Sequence, residues 1–153
     1  MIFEALVETS HVVLNLAADD KWRALDELCH IAEGEGFLAG VGAIDLITAV
    51  TDRERSLSTG MEAGLAIPHA FVSGLADPRL IFALTPAGIP WEALDGQPTR
   101  LIALLIAPAT AEARETHLET LARLSGVWVE ASRRAAALAA LDAAAIRAVF
   151  SPI

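Results

Sequence analysis

Two unbroken apolar runs stand out in the middle of the chain, 80–84 (Leu80-Ile81-Phe82-Ala83-Leu84) and 101–106. Each is bounded by proline, and runs of this kind read as central strands covered on both faces. Shorter strands are expected at 12–16 and 65–67, the latter ended or set at a sheet edge by Pro68. At helical spacing, Trp22, Leu25, Leu28, Cys29 and Ala32 share one stripe. They predict a helix capped by Asp19 or Asp20 and running to about Glu33, where Gly34-Glu35-Gly36 ends it. A second helix is expected over 41–53 with Ile44, Ile47 and Val50 inward, followed by a loop over 56–60. Helices over 116–128, 130–140 and 142–149 complete the pattern. Thr116-x-x-Glu119 fits a capping box that would put His117 in the first turn. Helices at both ends of the order and buried strands between them indicate an α/β layered domain.

Composition narrows the class. A chain of 153 residues suits one domain with a full core. Mean hydropathy is high, +0.49, yet the longest apolar run, 101–109, falls far short of the roughly 20 residues a membrane helix needs. Glu4, Glu8 and His11 interrupt the opening, so no secretory signal is read there and a cytoplasmic protein with no direct membrane insertion is expected. The net charge of −9 argues against nucleic acid as a partner, which would call for basic patches, and favours steering toward a basic protein surface. The single cysteine, Cys29, cannot form an internal disulfide and lies in the apolar stripe, so it is expected in the core. With no cysteine or histidine cluster at ligand spacing, no metal and no other cofactor are expected.

The candidate chemistry lies in Arg53-Glu54-Arg55-Ser56-Leu57-Ser58-Thr59-Gly60, followed by Gly64-Leu65-Ala66-Ile67-Pro68-His69. A guanidinium grips phosphate oxygens in pairs. Glycines let backbone N–H groups approach an anion. A neutral histidine is a nucleophile near physiological pH, and strand ends in open α/β sheets are where ligands collect. His69 is thus a candidate phosphoacceptor, its alternative being a capping histidine at the surface. A neutral ring attacks through one nitrogen, so the other is expected to be held as a donor, as to a backbone carbonyl. His117 shares a helical face with Leu121, Leu124 and Trp128, so it is either a second site residue or a structural core histidine. His11 and His30 carry no motif.

This run resembles the active-site segment of phosphotransferase-system enzyme IIA components of the fructose, mannitol and nitrogen-regulatory type. Asp95-Gly96-Gln97-Pro98 with the following strand, and His117-Leu118-x-x-Leu121-Ala122-x-Leu124, resemble two later segments of the same family, in the same order. The resemblance implies one EIIA type-2 domain over 1–153, with a mixed central β-sheet and helices on both faces. It implies a phosphotransferase component that accepts a phosphoryl group from an HPr-like phosphocarrier on His69 and passes it to an enzyme IIB. A regulatory protein of the nitrogen type, acting by docking to partners, is the alternative. His117 and Arg53 would be the supporting catalytic residues, with Arg55 the alternative clamp if the register slips. Ser58, Thr59 and Gly60 would hold the phosphate. The chain departs from the family pattern at Met61-Glu62-Ala63 and at Ala70-Phe71. Glu62 would bring negative charge to the site if it pointed inward.

Overall fold

A computed structural model describes residues 2–151 of the protein. The two apolar runs form its two longest strands, β4 (Arg79–Ile89) and β5 (Thr99–Pro108). They pair antiparallel, with Leu80 opposite Leu105, Phe82 opposite Ala103 and Leu84 opposite Leu101. Successive side chains on a strand point to opposite faces, and the core divides accordingly. Ile81, Ala83, Ile102, Leu104 and Ile106 belong to one apolar cluster, and Leu80, Phe82, Leu84, Leu101, Ala103 and Leu105 to the other. A strand buried on both sides has no polar face to alternate with, hence the continuous apolar runs.

The remaining strands are short and complete a mixed sheet. β1 (His11–Val13) runs parallel to β4, and β2 (Leu65–Ala66) and β3 (His69–Val72) both run parallel to β5. β2 and β3 lie in line along β5, interrupted at Ile67-Pro68, so what looked like one strand ended by proline is a strand broken by it. Proline lacks the N–H a ladder needs.

Helices cover both faces. α2 (Lys21–Gly34) and α3 (Ala43–Ser56) pack on the first cluster through Leu25, Leu28, Cys29, Leu46 and Val50. α1 (Phe3–Glu8), α4 (Ala111–Trp128), α5 (Ala131–Leu138) and α6 (Ala143–Phe150) pack on the second through Phe3, Leu6, Leu124, Trp128, Ala137, Ile146 and Phe150. Cys29 is fully buried, and burial pushes its thiol up to about 12.

Four sequence expectations need correction. The strand expected over 12–16 is shorter and begins one residue earlier, at His11. Trp22 is 42% exposed, because the first inward position of α2 goes to Lys21; its ring instead lies beneath Lys21 and Arg55. Ile44 is 75% exposed, because Ala43, Leu46 and Val50 take the inward stripe of α3. Finally, α4 begins at Ala111, where the Thr110 hydroxyl accepts the N–H of Ala113. The Thr116 hydroxyl bonds back to the carbonyls of Glu112 and Ala113 inside the helix. His117 is therefore a mid-helix residue, away from the positive end of the helix. α1 was not anticipated at all.

Candidate active site

The strand break places the first histidine. His69 opens β3 opposite Leu105, directly after Pro68, whose carbonyl accepts the N–H of Leu105. Its Nδ1 lies 2.9 Å from the Ile67 carbonyl. A carbonyl only accepts, so Nδ1 carries the proton and Nε2 presents its lone pair. The ring is 8% exposed. Burial lowers its pKa; the bond to Ile67 and the charge of Glu54 oppose that shift, and the charge of Arg53 adds to it. A neutral imidazole results at neutral pH.

The second histidine comes from α4. His117 is also 8% exposed, and neither ring nitrogen has a partner. Its ring centroid lies 4.6 Å from that of His69, with the planes tilted by 60°. Burial, and then the charges of His69, Arg53 and Arg114, bring its pKa down to about 4. A buried polar group without a hydrogen bond is costly. Two free nitrogens beside His69 leave His117 able to bond a further polar group. Phe71 lies two residues beyond His69 and so on the same face of β3; it packs 4.7 Å from His117, with the Arg114 guanidinium 4.2 Å above its ring.

The end of α3 supplies charge and fixes the adjoining loop. Arg53 is half-buried, donates from Nη1 to the Leu57 carbonyl at 2.8 Å, and acts on both histidines. Arg55 is exposed and stacks on Trp22. Glu54, between them, is buried at 3% exposure and meets the buried Lys21 ammonium at 3.1 Å. It also accepts the Thr59 hydroxyl at 2.6 Å and the Thr59 N–H at 3.0 and 3.2 Å.

The other loop residues are equally committed. The Ser58 hydroxyl donates to the Trp91 carbonyl at 2.7 Å, and the Gly60 N–H donates to Ser58 Oγ at 3.2 Å. A Cβ on Gly60 would sit 2.8 Å from the Ala93 Cα, so glycine is required there by close packing. The donors of Ser58, Thr59 and Gly60, expected on phosphate, are thus engaged within the loop. Glu62 is exposed, beside a small cleft with Leu94 and Trp128. The Lys21–Glu54 pair and Arg114 escaped the sequence reading. Glu54 stood inside the motif, which was a usable signal; Lys21 offered none.

The site is thus a carbonyl-anchored neutral histidine with a second histidine tilted against it, at a break in a mixed sheet. The family model for the phosphoenolpyruvate-dependent sugar phosphotransferase system, EIIA 2, matches residues 5–152, and the chain belongs to that family. It is 36% identical over 118 residues to the fructose-specific EIIABC component of Bacillus subtilis; the match covers 76% of this chain and only 18% of that longer protein. The crystal structure of the nitrogen regulatory protein IIA-Ntr from Neisseria meningitidis superposes with a TM-score of 0.87 at 29% identity, covering 97% of this chain and 98% of the other. The mannitol IIA of Escherichia coli, solved in complex with phosphorylated IIB, shares the fold at 17% identity, a TM-score of 0.73, and 92% and 93% coverage.

Proposed function

We propose that the protein is a cytoplasmic phosphoryl carrier, a single EIIA domain in which His69 Nε2 takes a phosphoryl group from a phosphohistidine of an HPr-like donor. The observation that carries this reading is the Ile67 carbonyl on Nδ1, which leaves Nε2 as the nucleophile. In the step, the Nε2 lone pair attacks phosphorus, and the P–N bond to the donor, whose other ring nitrogen carries a proton, breaks with its electron pair returning to give a neutral donor imidazole. The phosphorylated His69 ring keeps its Nδ1 proton, now more acidic and better bonded to Ile67. No external base is needed, because no proton changes hands. His117, 4.6 Å away with both nitrogens free, donates to a phosphoryl oxygen, and Arg53 supplies the opposing charge. The second transfer, to an enzyme IIB, repeats the attack with His69 as the leaving group. The mannitol IIA with which this chain shares its fold assembles with phosphorylated IIB, and that supports a IIB-type acceptor.

Phosphate labelling with phosphoenolpyruvate, enzyme I and HPr tests the reading. His69→Ala is expected to take no label, and label that persists on it refutes the assignment. A second reading, regulation of partners by phosphorylation-dependent docking, is favoured by the match to the nitrogen regulatory protein over nearly the full length of both chains. A phosphorylated protein that passes nothing to sugar-specific IIB domains would select that reading.

A further inference from the structure

We propose a second binding site, for a small organic phosphate monoester, in a cavity of about 420 Å³ lined by Gly64, Gln97, Pro98, Arg100, Arg134 and Leu138, with Ala63 and Ala87 at its walls. The inference does not depend on the role of His69. Leu65 pairs with Leu101 and His69 with Leu105, so the cavity lies near the start of β2, on the order of 13 Å along the sheet from the histidine at ~3.3 Å per residue.

Two guanidiniums line it, from different elements. Arg100, the second residue of β5, donates from Nη2 to the Pro86 carbonyl at 3.3 Å. Arg134 of α5 donates from Nη1 to the Trp128 carbonyl at 2.8 Å. Each is thereby held by one N–H while its other donors remain unassigned. Among the described residues, neither guanidinium has a carboxylate within ion-pair distance. The nearest turn does contain Asp95, whose carboxylate accepts the N–H groups of Ala63 and Gln97 and does not line the cavity.

These features fix the ligand's chemistry. Two guanidiniums are matched to a group with several acidic oxygens and a charge of about −2, because each fork binds two oxygens at once. Pro98, Leu138, Ala63 and Ala87 offer apolar surface to the ester portion, and Gln97 offers an amide. A cavity of roughly 300–1,000 Å³ with a few placed polar groups is of ligand-binding size. The chain carries a net charge of −9, so its overall field opposes an incoming anion. Binding there must come from this local pair and should weaken steeply with salt.

The test is a calorimetric or NMR titration of the full, unphosphorylated chain with phenyl phosphate, inorganic phosphate and succinate at fixed ionic strength. Phenyl phosphate should bind one to one, at least threefold tighter than inorganic phosphate. Arg100→Gln and Arg134→Gln should each weaken it fivefold or more. Ala87→Glu leaves both arginines in place and introduces a carboxylate from an exposed position, so it should abolish binding even if Arg134→Gln disturbs α5. Circular dichroism verifies the fold of each variant. No saturable binding overturns the proposal, as does binding unchanged in Ala87→Glu. Binding lost in His69→Ala but kept in both arginine variants places the anion at the histidines and also overturns it. Succinate binding more tightly than phenyl phosphate overturns the phosphate assignment.

Discussion

Replacing Lys21 with methionine should destabilise the protein by about 3 kcal/mol, and the reasoning rests on what it leaves behind. Glu54 is 3% exposed and Lys21 6%. The ammonium lies 3.1 Å from one carboxylate oxygen of Glu54, and its other acidic neighbour, Glu92, is 3.9 Å away and largely exposed. Methionine keeps most of the stem and its packing but removes the cation. The Thr59 hydroxyl and N–H still solvate the carboxylate. Stranding one partner of a buried pair costs roughly 3–5 kcal/mol, and these surviving bonds place the cost at the lower end. At a urea m-value of about 2 kcal/mol/M, 3 kcal/mol moves the midpoint down by ~1.5 M, and Tm falls by roughly 6–12 °C.

The decisive comparison is the double variant Lys21→Met/Glu54→Gln. A neutral amide no longer strands a charge, so the double variant should be more stable than Lys21→Met alone. The coupling in the cycle should reach at least about 1 kcal/mol. Urea unfolding followed by circular dichroism reads all four proteins. A Lys21→Met cost below about 1 kcal/mol, or a double variant no more stable than the single one, would show that Glu54 is adequately solvated without the ammonium, and the argument for the pair would fail.

Three further outcomes are expected. Because burial brings His117 down to about 4 while the unfolded chain titrates near 6.5, the unfolded state binds more protons below pH 6.5, and stability should fall as pH drops from 6.5 toward 4. The loss from this residue is at most about 3 kcal/mol, and urea midpoints measured across that window should become less steep in His117→Gln, with a remainder from His69, whose pKa burial also lowers. Arg53→Gln should slow phosphoryl transfer by about ten- to a hundredfold, or roughly 1.4–2.8 kcal/mol, with Arg55→Gln much milder; quench-flow kinetics ranking them the other way would make Arg55 the clamp. Gly60→Ala should cost about 1–3 kcal/mol in thermal unfolding, because the new methyl meets the Ala93 backbone; an unchanged Tm would mean that the loop yields freely.

The parts of the fold that were legible have local causes. β4 and β5 are apolar on both faces, and runs that short, bounded by proline, suit doubly covered strands better than buried helices. Ile67-Pro68-His69 was legible because proline breaks a ladder wherever it falls. Faces of amphipathic helices were less so: Ile44 and Ala43 each complete a stripe with later residues of α3, and only packing decides between them. The start of α4 was misread because Thr110 and Thr116 are both competent caps, and a threonine inside a helix can satisfy its hydroxyl on a carbonyl one turn back. Least legible was the Lys21–Glu54 pair. The two residues lie 33 positions apart, and opposite charges in helices ordinarily face water, so nothing local distinguishes a buried pair from two solvated ones. The same holds for Ser58 and Thr59, whose hydroxyls suit a phosphate or a loop equally until Glu54 and the Trp91 carbonyl are seen beside them.

That pair bears on the chemistry as well as on stability. The histidines are both neutral at rest, which suits the proposed attack, and that transfer would bring a charge of about −2 into a site walled by apolar strands. Arg53 at contact distance would offer roughly 4 kcal/mol of gross attraction at an effective dielectric near 20. Glu54 acts on His69 with the opposite sign, and an uncompensated carboxylate there would repel the incoming group by a comparable amount at similar range. Lys21 closes that gap by cancelling Glu54 where it stands, while Thr59 keeps the carboxylate turned toward the loop. Two effects of Lys21→Met are therefore separable. Loss of stability follows from a stranded charge, and loss of transfer rate follows from repulsion of the phosphoryl group. Glu54→Gln in the same background should restore both together, whereas a purely structural role for the pair would leave the rate of folded Lys21→Met unchanged from the start.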